Sequence, residues 1–188
     1  AIARIATYDA TVLISGETGS GKELAARAIH YQGRRSDKPF IPVNCGALPD
    51  HLIENELFGH CKGAYTDARE HQTGLIAQAE GGTLFLDEVD ALSPKAQVSL
   101  LRFLEDGKYR LLGGNRLESA DVRILAASNT DLQALVDAGG FRADLHYRLN
   151  VMELAVPPLR ARGDDIALLA RHFVGEAAQR YGMTRLDL

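Results

Sequence analysis

Gly16-Glu17-Thr18-Gly19-Ser20-Gly21-Lys22-Glu23 decides the fold of this chain. It fits G-x-x-x-x-G-K and departs at the last position, where Glu23 stands in place of Ser or Thr. Ahead of it, Thr11-Val12-Leu13-Ile14-Ser15 is apolar and rich in β-branched residues, as a buried strand is. Behind it, Leu24, Ala25, Ala28 and Ile29 recur at helical spacing up to Tyr31. Taken alone, the block could be an ordinary glycine turn. Between a strand and a helix it becomes an anion cradle. Glycines let backbone N–H groups turn inward, and the helix N-terminus adds partial positive charge. Lys22 is placed to reach β- and γ-phosphates. Residues 16–23 are therefore expected to bind ATP.

Outward from the loop, strands and helices alternate. Residues 40–44 form a second strand, and Pro39 and Pro42 suit a sheet edge. Thr83-Leu84-Phe85-Leu86-Asp87-Glu88 is a third, an apolar run ending in two acids, as a buried parallel strand meets a site at its carboxyl end. Residues 122–128 are a fourth, ending at Asn129, and residues 151–156 a fifth. Helices are predicted from Glu23 to Tyr31, from Pro49-Asp50 to Gly59, over 74–80, from Ser93-Pro94 to Gly107, near 131–137 and 141–147, and over 164–181. Residues 109–117, around Gly113-Gly114-Asn115, read as a hairpin. Residues 60–72 read as a polar, glycine-punctuated loop with Tyr65 at its middle. Pro157-Pro158 marks a boundary. The expected fold class is α/β, with a mostly parallel five-stranded sheet covered by helices on both faces. Residues 1–156 would be the nucleotide-binding subdomain and 157–188 a linker and the start of a helical lid.

The 188 residues suit one domain, or one domain and a fragment, and the 46% hydrophobic content supports a core. Charges of both signs are interspersed to a net of −4, which opposes a nucleic-acid-coating role. No apolar run approaches the ~20 residues of a membrane span, and no signal peptide opens the chain. Cys45 and Cys61 make no C-x-x-C pair, which fits a reduced, cytoplasmic protein. The start at Ala1, within the helical spacing of Ile2, Ile5 and Ala6, reads as a piece of a longer protein.

Asp87 is the expected Mg²⁺ residue, with Glu88 beside it placed to polarise a water for in-line attack on the γ-phosphate. Asn129 could hydrogen-bond that water or the γ-phosphate, and an Asx turn ahead of Asp131 would account for it equally. Asn44 ends its own strand and could face Glu88 or merely hold a turn. Arg142 and Arg148, six residues apart, fall about 120° short of two full helical turns, so they should not share one role.

This ordered set resembles the central AAA+ ATPase domain of sigma-54-dependent transcriptional activators, the bacterial enhancer-binding proteins. The resemblance runs over almost the whole chain. Besides residues 16–23 it takes in Val43-Asn44-Cys45, Glu56-Leu57-Phe58-Gly59-His60, Gly82-Thr83-Leu84-Phe85-Leu86-Asp87-Glu88, Phe141-Arg142-Ala143-Asp144-Leu145, Tyr147-Arg148-Leu149-Asn150-Val151 and Pro157-Pro158-Leu159-Arg160. It implies a homo-oligomeric ring, a hexamer or heptamer, with ATP between neighbouring subunits. It implies that Arg142 and Arg148 are arginine fingers acting in trans, that Asn44 holds Glu88 until the partner engages, and that Asn129 senses the γ-phosphate. The family's sigma-54 contact loop, G-A-F-T-G-A, corresponds to Gly63-Ala64-Tyr65-Thr66-Asp67-Ala68. Tyr65 keeps the aromatic ring and adds a hydroxyl. Asp67 adds charge and gives up the freedom of glycine to take positive φ. Cys61 stands where the family usually has Glu. These departures oppose efficient sigma-54 contact and leave ATP binding untouched. The family's second sensor arginine would lie beyond Leu188, and part of the adenine pocket ahead of Ala1. A receiver domain and a helix-turn-helix reader of DNA would also lie outside these residues.

Three functions compete. The first is a ring ATPase that remodels sigma-54 RNA polymerase to activate transcription. The second, resting on Asp67, is a nucleotide-sensing assembly module of a transcription regulator that does not remodel sigma-54. The third, a helicase loader or protein unfoldase, is opposed by residues 63–68.

Overall fold

The computed structural model describes residues 1–65 and 68–182. The chain divides into two compact units, the first Ala1–Val156 and the second beginning at Pro157.

The first unit is built on five strands: β1 (Val12–Ser15), β2 (Phe40–Asn44), β5 (Thr83–Asp87), β8 (Arg123–Ser128) and β9 (Met152–Ala155). They lie in the order β2-β5-β8-β1-β9, and every neighbouring pair is parallel. The mostly parallel five-stranded sheet expected from the strand–helix alternation is thus present. β2, with Pro42 inside it and Pro39 just ahead of it, is at an edge, where a missing N–H costs no rung on the outer side.

Each strand sorts its residues by alternation. Leu13, Leu84, Leu86, Ile124 and Ala126 face one core with Val43, closed by Ile53 and Leu57 of helix α3 (Asp50–Phe58), Ile76 of α4 (Leu75–Gln78), Leu100 of α5 (Pro94–Asp106) and Leu145 of α7 (Ala143–Leu149). Val12, Ile14, Phe85, Leu125 and Ala127 face the other, closed by Ile5 of α1 (Ile2–Ala6) and by Ala26 and Ile29 of α2 (Lys22–Tyr31). Both faces are therefore covered, which is why these strands read as continuous apolar runs. Burying a side chain such as Phe85 or Ile14 contributes about 1.5–3 kcal/mol.

The helix ends follow their local chemistry. Ser93 caps α5 through its side chain, which accepts from the Ala96 N–H, Pro94 takes the first turn, and Gly107 ends the helix in the left-handed conformation. Asp131 caps α6 (Leu132–Asp137) by accepting from the Gln133 and Ala134 N–H groups. The segment 109–117 is a hairpin only at its base. There β6 (Lys108–Tyr109) pairs antiparallel with β7 (Glu118–Ser119), and the residues between form an irregular loop. A second ribbon, β3 (Gly59–His60) with β4 (Gln72–Thr73), closes the glycine-punctuated segment as a hairpin between α3 and α4. α7 begins at Ala143 rather than at Phe141, because Arg142 is its extended N-cap.

In the second unit a short 3₁₀ turn, Leu159–Ala161, precedes α8 (Gly163–Tyr181), whose Ile166 and Phe173 remain exposed. No helix among the described residues is long and apolar enough to cross a membrane.

Candidate functional site at the carboxyl ends of the strands

Because all five strands run the same way, their carboxyl ends share one edge of the sheet. Ser15 is level with Ser128, and Asn44 with Asp87. The loop 16–21 leaves β1 at this edge, and Gly21 ends it at φ 96°, ψ 29° as the left-handed N-cap of α2. A side chain there would be strained, so the sharp entry into the helix calls for glycine. Lys22 is buried, and its Nζ donates to the carbonyls of Gly16 (2.9 Å) and Glu17 (3.1 Å). A buried ammonium held by two carbonyls over a glycine loop and a helix N-terminus suits polyphosphate oxygens. Glu23 does not join it through its side chain. Its carboxylate pairs with Arg27 at 2.7 Å, one turn along the helix surface.

β5 brings the acids. Asp87 Oδ1 accepts the Glu88 N–H at 3.0 Å. Glu88 is left-handed at φ 53°, ψ 48°, and is the only non-glycine residue with positive φ among the described residues. That conformation costs roughly 1–2 kcal/mol, and such strain gathers at functional sites. It sends the carboxylate against Gly46: a Cβ built on Gly46 would collide with Glu88 Oε2. Asn44 Oδ1 accepts the N–H groups of Gly46 (2.8 Å) and Ala47 (2.9 Å). Asn44 thus shapes the turn on which Glu88 rests. No hydrogen bond joins the two side chains among the described residues. Behind the acids, burial pushes the Cys45 thiol up to about 12, with the negative charges of Asp87, Asp90 and Glu88 acting in the same direction. The described residues hold no cluster of three or more His, Cys, Asp or Glu that could cage a metal. Asp87 with Glu88 suits Mg²⁺, which takes one or two carboxylates together with phosphate oxygens and water.

β8 brings Asn129, whose Nδ2 donates to Thr18 Oγ1 of the loop at 3.2 Å. The loop, the acid pair, Asn44 and Asn129 are therefore gathered at one edge. The two arginines stand apart from this group. Arg142 is paired with Asp144 at 2.7 Å, and its N–H donates to Gln97 Oε1 at 3.0 Å. Its guanidinium holds the Asp144 carboxyl below the usual range. Since Arg142 precedes α7, the rotation expected between the two arginines along one helix does not apply. Arg148 lies exposed in the last turn of α7, without an ion pair among the described residues. Among the described residues, neither arginine is hydrogen-bonded to the loop 16–21 or to Asp87 and Glu88.

The ribbon of β3 and β4 carries residues 63–68, of which Thr66 and Asp67 lie outside the described residues. Gly63 N donates to Ala68 O (2.8 Å) and Ala68 N to Tyr65 O (3.0 Å). Tyr65 is 44% exposed and packs on His60 with ring centroids 5.1 Å apart. His60 Nδ1 is in turn 2.6 Å from Asn55 Oδ1 of α3. The loop between β6 and β7 supports this tip. Cys61 N donates to Leu112 O (3.0 Å), Leu112 N donates to Gly59 O (2.9 Å), and a Cβ on Gly113 would sit 2.7 Å from that of Ala64.

Sequence reading missed Gly46, Asp90 and the support given by residues 112–113. Asp90 had a signal, a third acid three residues after Asp87. Nothing local marked the others, since each acts through a segment distant in the chain.

A family model described as the sigma-54 interaction domain matches residues 1–155. The chain is 50% identical over 181 residues to the Nif-specific regulatory protein of Azotobacter vinelandii, spanning 96% of this chain and 35% of that protein. The structure of NtrX from Brucella abortus in complex with ADP superposes with a TM-score of 0.89 at 37% identity, over 96% of this chain and 39% of that one. The P-loop NTPase domain of the sigma-54 transport activator from E. coli, at 22% identity and a TM-score of 0.56, shares the fold over 84% of this chain and 90% of its own. The chain therefore spans little more than a third of the first two proteins, and its fold is that of an AAA+ P-loop NTPase. By the match over residues 1–155, this chain belongs to the sigma-54 interaction domain family.

Proposed function

We propose that the chain hydrolyses ATP to ADP and phosphate within a hexameric or heptameric ring, and so remodels sigma-54 RNA polymerase to activate transcription in the cytoplasm. The observation that carries this reading is the contact of Asn129 with Thr18 beside the two acids that end β5. When bound, Mg²⁺–ATP supplies the phosphoryl group that passes to water.

Residues 1–156 act as the nucleotide-binding subdomain, and the residues from Pro157 begin the lid. Lys22 and the loop 16–23 bind the phosphates, Lys22 giving them the donors it now gives to Gly16 and Glu17. Asp87, with Glu88 beside it, holds Mg²⁺. Glu88 takes a proton from the attacking water and returns it to solvent. Asn44 fixes the turn under Glu88, and Asn129 reads the γ-phosphate. Arg142 and Arg148 enter the site of the neighbouring subunit, a heterologous contact that closes into a ring. Residues 63–68 contact sigma-54, and DNA is reached only through a domain outside these residues.

Gly46→Ala tests the seating of Glu88. The added methyl displaces the carboxylate without touching the loop, so kcat should fall by about 10- to 100-fold while ATP affinity is retained in a nucleotide titration. Full turnover in that variant would separate Gly46 from the chemistry.

The partner is tested by capture of purified sigma-54 with ADP and aluminium fluoride. Tyr65→Ala should abolish capture, because the exposed ring supplies apolar contact area, and should leave basal ATP hydrolysis little changed. Asp67→Gly should strengthen capture, since it removes a charge from the contact. If Asp67→Gly hydrolyses ATP and still captures nothing, the module that senses nucleotide without remodelling sigma-54 is the better reading.

A further inference from the structure

Asp90 lies in the 3₁₀ turn Val89–Ala91, just past the acid pair, and has no part in the chemistry above. Its carboxylate takes the hydroxyls on both sides of Asn129. Ser128 Oγ donates to Oδ1 at 2.8 Å, and Thr130 Oγ1 donates to Oδ2 at 3.2 Å. Ser128 is 1% exposed, and Thr130 O stands at 2.8 Å as a rival acceptor. The charged acceptor is the stronger of the two. With its proton given to Asp90, Ser128 Oγ accepts the Thr130 N–H at 3.1 Å. Residues 128–130 are thus tied to one carboxylate at two points.

Asn129 is the residue between those points. Its Nδ2 reaches Thr18 Oγ1, and its Oδ1 lies 3.0 Å from Thr130 Oγ1, the same hydroxyl that Asp90 holds. The ladder between β5 and β8 makes its last pair at Leu86 and Ala126, before either strand reaches its functional end. The tie through Asp90 joins the two ends beyond that pair.

We infer that Asp90 is a positioning residue for Asn129: through Ser128 and Thr130 its carboxylate fixes the turn after β8 and holds the amide over Thr18, linking the strand that carries Asp87 and Glu88 to the one that meets the phosphate loop. The inference rests on Asn129 reading the γ-phosphate. If it does, loosening the turn costs the preference for ATP over ADP and spares the contacts common to both nucleotides.

The experiment measures the affinities of Mg²⁺–ATP and Mg²⁺–ADP for the 188-residue chain by displacement of a fluorescent nucleotide, in a Glu88→Gln background that prevents turnover. Asp90→Ala, Asn129→Ala and the double variant are compared, with thermal melting as the check on folding. Asp90→Ala should lower the ATP-over-ADP preference by about fivefold or more, the worth of a lost hydrogen bond. The double variant should be no worse than Asn129→Ala, because the two residues act in series. Asp90→Asn, which keeps one of the two acceptor oxygens, should recover the preference in part. If Asp90→Ala does not fold, Ser128→Ala removes one tie and should lower the preference in part. An unchanged preference in Asp90→Ala, or in Ser128→Ala if that substitute is needed, beside a lowered one in Asn129→Ala overturns the inference and leaves the sensor reading standing. An equal loss of ATP and ADP affinity, or additive losses in the double variant, also overturns it. An unchanged preference in Asn129→Ala overturns the sensor reading and the inference with it.

Discussion

Glu88→Gln should bind ATP as before and lose turnover by about 10²- to 10⁴-fold, the usual worth of a general base. The amide has the shape of the carboxylate, and the backbone that aims it stays in place. The Asp87 Oδ1 bond to the Glu88 N–H and the Ala91 N–H bond to the Glu88 carbonyl, at 2.9 Å, are both independent of the side chain. What changes is the capacity to accept a proton from water. Lys22→Ala makes the contrast. It removes the cation that the loop carbonyls hold, so binding should fall together with turnover. Phosphate release at saturating ATP, with a nucleotide titration beside it, separates the two. Turnover that survives Glu88→Gln would remove that residue from the chemistry.

Arg148→Ala should lower kcat by about 10³- to 10⁵-fold, as loss of an arginine finger does, while each subunit still binds ATP. The reason is where the charge sits. Arg148 is exposed in the last turn of α7 and, among the described residues, has no ion pair and no hydrogen bond to the loop 16–21 or to Asp87 and Glu88. An unpaired guanidinium on a surface is available to a neighbour's phosphate. Arg142 differs, because it must first give up its bond to Asp144. Two readouts follow from action in trans. Specific activity should rise with protein concentration through the assembly range. Arg148→Ala mixed with Lys22→Ala should recover activity that neither has alone, since one intact composite site forms where the two meet. A preparation shown to be monomeric that hydrolyses ATP at an undiminished rate would rule out a finger supplied by a neighbour.

The hairpin loops show where local reading stops. The turn residues near Gly113-Gly114 marked a hairpin correctly, yet its ladder is confined to Lys108–Tyr109 and Glu118–Ser119. The loop between them spends Leu112 hydrogen bonds on Gly59 and Cys61 instead. Such a bond between two loops has no periodicity and no fixed spacing, so nothing in either segment announces it. Asn44 is a second case. The sequence placed it at a strand end and left two roles open. The fold gives its oxygen to Gly46 and Ala47 and seats Glu88 on that turn.

The sequence by itself determined the α/β class, a mostly parallel sheet of five strands, the proline-bearing strand suited to an edge, and the loop, acids and amide that end three of the strands. It could do so because these depend on short-range rules: side-chain alternation, helical spacing, capping, and the glycine and lysine a phosphate cradle needs. Only the tertiary structure decided that β8 lies between β5 and β1, which brings Asn129 to Thr18, and that Asp90 ties the turn after β8 to the end of β5. It alone turned Glu88 into the left-handed conformation that rests it on Gly46, and paired the Glu23 carboxylate with Arg27. Those outcomes depend on which distant segments the packing makes neighbours, and strand order and loop contact leave no periodic trace in the chain.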